Sequence, residues 1–323
     1  MDSVAVQTLT SPVILFFVLG MLAAAAKSEL TIPEAMAKGM SLYLMAAIGL
    51  KGGVAMAKSG VNADVAAALA AGIVASLFIP FAAYGLLRSF GRLNRIDAGA
   101  VAAHYGSVSV VTFVTAGEIL SGIGMIPAGY MVAVLAVMET PAILSGLYLA
   151  RRGAADAREG AGGGLWHEVF LNASVVLLLG SFAIGWIAGP DKFEEVKPLF
   201  DGLFKGILCL FLLDMGLIAA RRLLQSRAIN ARLVTLAILF PLVNGMLGVF
   251  AGTAIGLDAG STAAFGVLCA SASYIAVPAA MRLALPQADP GIYLTMSLSV
   301  TFPFNLIVNI GLIVWATRLL AGG

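Results

Sequence analysis

The sequence predicts an all-α membrane protein of ten transmembrane helices, built as a five-plus-five inverted repeat with its fourth and ninth helices broken. Three observations carry this. Hydrophobic residues make up 60% of the chain, charged residues only 11%, and mean hydropathy is +1.00. That is more apolar surface than a soluble chain of 323 residues could bury, so the solvent must be lipid. The second observation is a run of apolar segments of spanning length. The third is an internal repetition at a nearly constant offset.

A helix needs about 20 mostly apolar residues to cross about 30 Å of hydrocarbon. Breaks at charged, Gly or Pro clusters place spans near 11–26, 34–50, 63–88, 97–122, 127–150, 168–189, 201–220, 232–256, 258–284 and 290–318. No Lys or Arg precedes Lys27, so the first segment lacks the basic flank of a cleaved signal peptide and reads as a retained helix. The hydrophilic stretch from Arg151-Arg152 to Gly162-Gly163-Gly164 separates five spans from five. The expected units are a first repeat at 1–150, a cytoplasmic linker at 151–167 and a second repeat at 168–323.

The repetition is legible residue by residue. Asp97-Ala98-Gly99 with Ala102-Ala103 returns as Asp258-Ala259-Gly260 with Ala263-Ala264. Lys38-Gly39 with Gly49-Leu50 returns as Lys205-Gly206 with Gly216-Leu217. Pro80 pairs with Pro241, Pro141 with Pro303, and Leu19-Gly20 with Leu179-Gly180. Each match is weak by itself, but they recur in the same order.

Orientation follows from the cations. With the N-terminus outside, 13 of the 19 Lys and Arg residues fall on the cytoplasmic side, including every Arg except Arg318. Both termini are then outside. Five is odd, so the second copy enters the membrane from the opposite side. An inverted pair of this kind is the geometry of secondary transporters, whose sites lie where the copies meet.

Several chemistries find no support. A net charge of +2 gives no reason to invoke nucleic acid. Cys209 and Cys269 lie in separate apolar segments without CxxC spacing, and His104 and His167 are the only histidines. A disulfide, a zinc site or an intramembrane enzyme is not expected, and no metal beyond sodium is foreseen.

The fourth span of each copy is the candidate site. The first contains Tyr105-Gly106-Ser107-Val108-Ser109-Val110-Val111-Thr112, the second Ala270-Ser271-Ala272-Ser273-Tyr274 with Pro278 beyond. Gly or Pro beside Ser-x-Ser loosens a helix and frees N–H groups at the start of its second half. Those groups and the macrodipole form an anion site without a cationic side chain. Ser-x-Ser at a packed helix interface is the competing reading. Glu139, in Glu139-Thr140-Pro141, is an intramembrane carboxylate, and Thr301-Phe302-Pro303-Phe304-Asn305 stands at its place in the second copy. Oxygen ligands at a Pro-interrupted helix suit a hard cation such as Na⁺, with proton binding by Glu139 as an alternative. Glu118 and Asp214 read as pathway or interfacial residues, Asp97 and Asp258 as helix caps, and His104 as a packed, hydrogen-bonded ring.

These residues carry a resemblance. Tyr105 to Thr115, Met138-Glu139-Thr140-Pro141-Ala142, Ser271 to Arg282 and Thr301 to Asn305 resemble the sodium-dependent bicarbonate transporter family best known from cyanobacteria. The resemblance implies Na⁺-coupled symport of bicarbonate across the inner membrane by a homotrimer. It also implies control by a PII-like regulatory protein on the cytoplasmic face. Gly106, Ser107, Ser109, Ser271, Ala272 and Ser273 map to substrate binding. Ser109, Thr112, Glu139, Thr301 and Asn305 map to sodium as the coupling ion. The linker at 151–167 is shorter than the hydrophilic loop of cyanobacterial members, and Tyr274 beside the second serine pair could narrow the pocket. Another small anion, such as a monocarboxylate, is the alternative substrate.

Overall fold

The computed structural model describes residues 10–60, 63–151, 173–225 and 229–320, and among these there is helix and no strand. The expected linker at 151–167 lies, beyond Arg151, outside the described residues. In chain order the helices are α1 (Pro12–Ala25), α2 (Glu34–Ser59), α3 (Ala63–Ser89), α4 (Arg95–Gly106), α5 (Val110–Gly122) and α6 (Met131–Arg151). They continue as α7 (Ala173–Lys197), α8 (Phe204–Gln225), α9 (Ala231–Ala254), α10 (Ala259–Ala270), α11 (Ala276–Ala284) and α12 (Pro290–Leu320). Among the described residues, seven helical runs are long and apolar enough to cross a membrane, and α1 and α10 are apolar but shorter. Large apolar side chains such as Phe78, Ile187, Leu247 and Phe250 stand exposed on the outside, while Glu139, Asp214 and Asn305 are buried. That inversion of the soluble pattern marks a multi-pass membrane protein.

The interruptions sit where the sequence weakens the helix. The expected fourth span divides between Gly106 and Val110, and the ninth between Ala270 and Ala276. The expected loop between the sixth and seventh spans is instead helical. Gly189 turns the chain at φ +70°, Pro190 restarts a helix where its missing N–H is not needed, and a π-helical turn, Pro198–Gly202, leads into α8. In α12, π-helical turns at Thr295–Thr301 and Asn305–Asn309 flank Pro303, whose ring cannot be fitted into regular i−4 bonding. The second span runs on past Lys51 to Ser59, because Gly52 lies against Val132 of α6 and Gly53 against the backbone of α7.

Two groups of helices result. In one, α1 packs on α8 and α2 on α7. Small residues allow this close approach. A Cβ at Gly20 or Gly216 would strike the backbone of Leu213 or Phe17 across the α1–α8 contact. One at Gly49, Gly53 or Gly185 would strike Leu178, Phe182 or Leu50 across the α2–α7 contact. In the other group, α3, α4 and α6 pack together, as do α9, α10 and α12. The short helices after each break cross over: α5 packs on α10 and α12, α11 on α4 and α6.

Proline leaves a gap in each half, and a neighbouring side chain closes it. Pro141 disturbs the ladder of α6, and Ser76 of α3 sits in the opening. Its hydroxyl donates to the Met138 carbonyl at 2.5 Å and accepts from the Ala142 N–H at 3.1 Å. Pro241 of α9 has no N–H for the carbonyl of Ala237, and Thr301 of α12 donates to that oxygen at 2.6 Å. One expectation needs correction. Asp258 caps α10 by accepting from the Ser261 N–H, but Asp97 does not cap α4. Asn94 does, three residues earlier; Asp97 accepts from the Asn94 amide and from the Asp289 N–H at 2.8 Å, tying α4 to the start of α12.

Ser76→Ala should lower stability by about 1–3 kcal/mol, because it strands a buried N–H and C=O in a medium without water. Ser89→Ala, whose exposed hydroxyl bonds only Gly85 of its own helix, should change little. Thermal unfolding of the two variants in the same detergent checks this; equal midpoints would show that Ser76 does not brace α6.

Candidate functional site at the paired helix breaks

The two breaks have the same local design. Ser107 and Ser271 follow the last helical residue with nearly equal extended backbone, φ −86° and ψ 167° against φ −78° and ψ 161°. Ser109 then caps α5, its hydroxyl accepting from the Thr112 N–H at 3.2 Å. The Ser273 hydroxyl accepts from the Val277 N–H at 3.3 Å at the start of α11. Here a serine replaces the carbonyl that helix breakage removed. Gly106 is required by space: a Cβ there would overlap the Pro80 ring of α3.

The breaks are also joined to each other. The Ser109 N–H donates to the Ser271 hydroxyl at 2.9 Å, and the Ser273 N–H donates to the His104 carbonyl at 2.9 Å. One bond runs from each half to the other. The Ser271 hydroxyl donates in turn to the Leu268 carbonyl at 2.8 Å. Asn305 reaches the last carbonyl of α10, at Ala270, with its amide at 2.9 Å, and accepts from Asn309 at 2.9 Å. The positive ends of α5 and α11 therefore begin within one small, polar, buried region.

A narrow cavity of about 10 Å³ opens there, lined by Ser109, Ser273, Glu139, Tyr274 and Met45 among others. It has room for about one water. The Ser107 hydroxyl is buried without a partner among the described residues. The Tyr274 hydroxyl comes close to Ser109 without completing a hydrogen bond. No Lys or Arg lines the cavity, and no cluster of three His, Cys, Asp or Glu side chains occurs among the described residues. The chemistry on offer is hydroxyls, backbone N–H groups, one carboxylate and two helix N-termini. That set can hold a small anion beside a hard cation.

The structure distributes the anticipated residues unevenly. Ser109, Ser273 and Glu139 share the cavity lining. Ser107, Ser271 and Ala272 form the breaks themselves and are buried. Thr112 is buried one turn into α5. Thr301 and Asn305 spend their donors on the carbonyls of Ala237 and Ala270, and Thr301 also pairs with the Tyr105 hydroxyl at 2.7 Å. His104 is packed and hydrogen-bonded, with Nδ1 2.6 Å from the Ala100 carbonyl and its ring stacked on Tyr293. Sequence reasoning missed Met45, which reaches the cavity from α2, and the His104 carbonyl. A methionine in an apolar span and a backbone oxygen carry no pattern that could have singled them out.

No curated protein matches the chain. A family profile does, over residues 12–318, and that interval takes in both breaks, Glu139 and every helix from α1 to α12 except the last two residues of α12. The chain belongs to the Na⁺-dependent bicarbonate transporter superfamily.

Proposed function

We propose that the protein is a Na⁺–bicarbonate symporter whose ten spans form an inverted repeat, and that anion and cation bind between the two helix breaks. The observation that carries this is the reciprocal lacing of Ser109 to Ser271 and of Ser273 to His104, beside Glu139, in a cavity with no basic side chain. An anion placed there meets N–H groups and hydroxyls, but also a carboxylate. If Glu139 is ionised, a cation must accompany the anion, since two neighbouring negative charges in lipid are otherwise prohibitively costly. Na⁺ matches the oxygen donors, with Ser109, Thr112 and Glu139 nearest the break and Thr301 and Asn305 supporting from α12. Gly106, Ser107, Ser271, Ala272 and Ser273 then form the anion cradle.

Alternating access supplies the mechanism. The cavity is too small for bicarbonate, so binding requires Tyr274 and Met45 to withdraw. Met45 belongs to the α1, α2, α7 and α8 group, and Tyr274 to the broken-helix group. Sliding of one group on the other would open the cavity to alternate sides. The proposal places both termini outside the inner membrane. It includes a homotrimer, and a PII-like regulator on the cytoplasmic face remains part of the same reading.

One Na⁺ moving with one bicarbonate carries no net charge, so a tenfold Na⁺ gradient supplies about 1.4 kcal/mol and supports roughly tenfold accumulation. A second Na⁺ would add about 2.3 kcal/mol per 100 mV. Labelled bicarbonate uptake into proteoliposomes should therefore require an inward Na⁺ gradient; uptake indifferent to it would end this reading. Formate or acetate competing as well as unlabelled bicarbonate would favour the monocarboxylate alternative. Ser107→Ala and Ser271→Ala should both reduce uptake at least about tenfold, as expected when a donor to a bound anion is lost. They should differ in stability. Ser107 has no bond to lose, whereas Ser271 holds two, so only Ser271→Ala should lower the unfolding midpoint. Wild-type uptake in both variants would return the serines to a packing role.

A further inference from the structure

A second cavity, of about 220 Å³, lies among α2, α5, α6 and the start of α8. Its wall includes Lys51 and Glu118, and each has an oppositely charged neighbour. Lys51 meets Asp201 at 2.6 Å and sits over the Phe204 ring at 4.7 Å; Lys205 stands 3.8 Å from Glu118. This charged chamber connects in residues to the paired breaks. Val114 lines both it and a smaller middle cavity, and Met45, Val110 and Ile275 line both that middle cavity and the one at Ser109 and Glu139. Three cavities thus follow one face of α5, each sharing wall residues with the next, along the seam between the two groups of helices.

We infer that this seam is the access route to the paired breaks, with the charged chamber as its mouth and with Val114 and then Met45 as its two constrictions. The inference rests on the binding site proposed above. The mouth's chemistry fits its cargo. Two ammonium groups and two carboxylates balance, so the chamber holds no net field that would reject either sign, and it can receive a small anion and a monovalent cation together. The Lys205–Glu118 pair joins α8 to α5 across the seam, so separation of the two helix groups must break it. Lys205 begins α8, Glu118 lies in the second half of α5 and Lys51 in the second half of α2, all on the side opposite the Arg-rich one, so the mouth opens outside the cell.

Cysteine labelling of the full chain tests this without any transport assay. Gly117→Cys places a thiol in the chamber, where a Cβ meets nothing within 4 Å. Met45→Cys and Val110→Cys place thiols beyond the constriction at Val114. Leu120→Cys, fully buried on α5 away from the cavities, and the native buried Cys269 serve as references. Intact cells are treated with a membrane-impermeant methanethiosulfonate and each site is read by peptide mass. Gly117→Cys should label readily. Met45→Cys and Val110→Cys should label about 10- to 1000-fold more slowly, the range for a site exposed only in a minor open state. Leu120→Cys and Cys269 should stay unmodified. The inference is overturned if Gly117→Cys is inert, if both inner thiols label no faster than Leu120→Cys, or if they label only in inside-out vesicles. The labelling gradient appearing while Ser107→Ala and Ser271→Ala transport normally would support the route and reject the site. Its absence while those variants fail to transport would reject the route and leave the site.

Discussion

Everything in this fold depends on the requirement that backbone polar groups in lipid find partners within the protein. A straight bundle would meet that requirement automatically. This chain departs from it at Pro141, at Pro241 and at two serine breaks, and each of these departures is repaired by a specific neighbour. Ser76 occupies the opening at Pro141, Thr301 serves the carbonyl released by Pro241, and Asn305 covers the end of α10. The breaks repair one another, through Ser109 and Ser271 on one side and Ser273 and His104 on the other. Helix breaks at this depth are possible because each half supplies what the other half lacks.

The reciprocal contacts of α1 with α8 and α2 with α7, and the crossing of α5 and α11 into the opposite half, are what two copies related by a two-fold axis would produce. The two halves differ at one buried position. Glu139 lines the cavity, while Thr301, at the corresponding place, braces Pro241 and Tyr105. Had both been carboxylates, the fold would have to bury a second acid.

The helix groups differ in how they are held. The α1–α8 and α2–α7 contacts are glycine-lined and backbone-close, which favours dispersion over hydrogen bonding. The broken-helix group is laced with buried polar bonds. Between the two groups lies the seam with its cavities, crossed by Met45 and by the Lys205–Glu118 pair. Two internally firm bodies with a loosely filled boundary are what a rocking motion needs.

The sequence by itself determined the solvent, most of the helix boundaries and the two serine breaks. Those properties rest on local hydropathy and on Gly, Pro and Ser chemistry, which are written along the chain. It also singled out Glu139, because a carboxylate in an apolar span is conspicuous. It misjudged Asp97, where Asn94 was the closer cap, and it drew a loop at 190–200 where Gly189 and Pro190 redirect a helix. Only the tertiary structure decided which oxygen meets which N–H. Thr301 and Asn305 look like ion ligands in a list of residues, yet their donors go to carbonyls that a proline or a helix end left open some 35 to 64 positions away. That assignment depends on packing of α12 against α9 and α10, and no local pattern encodes the distance.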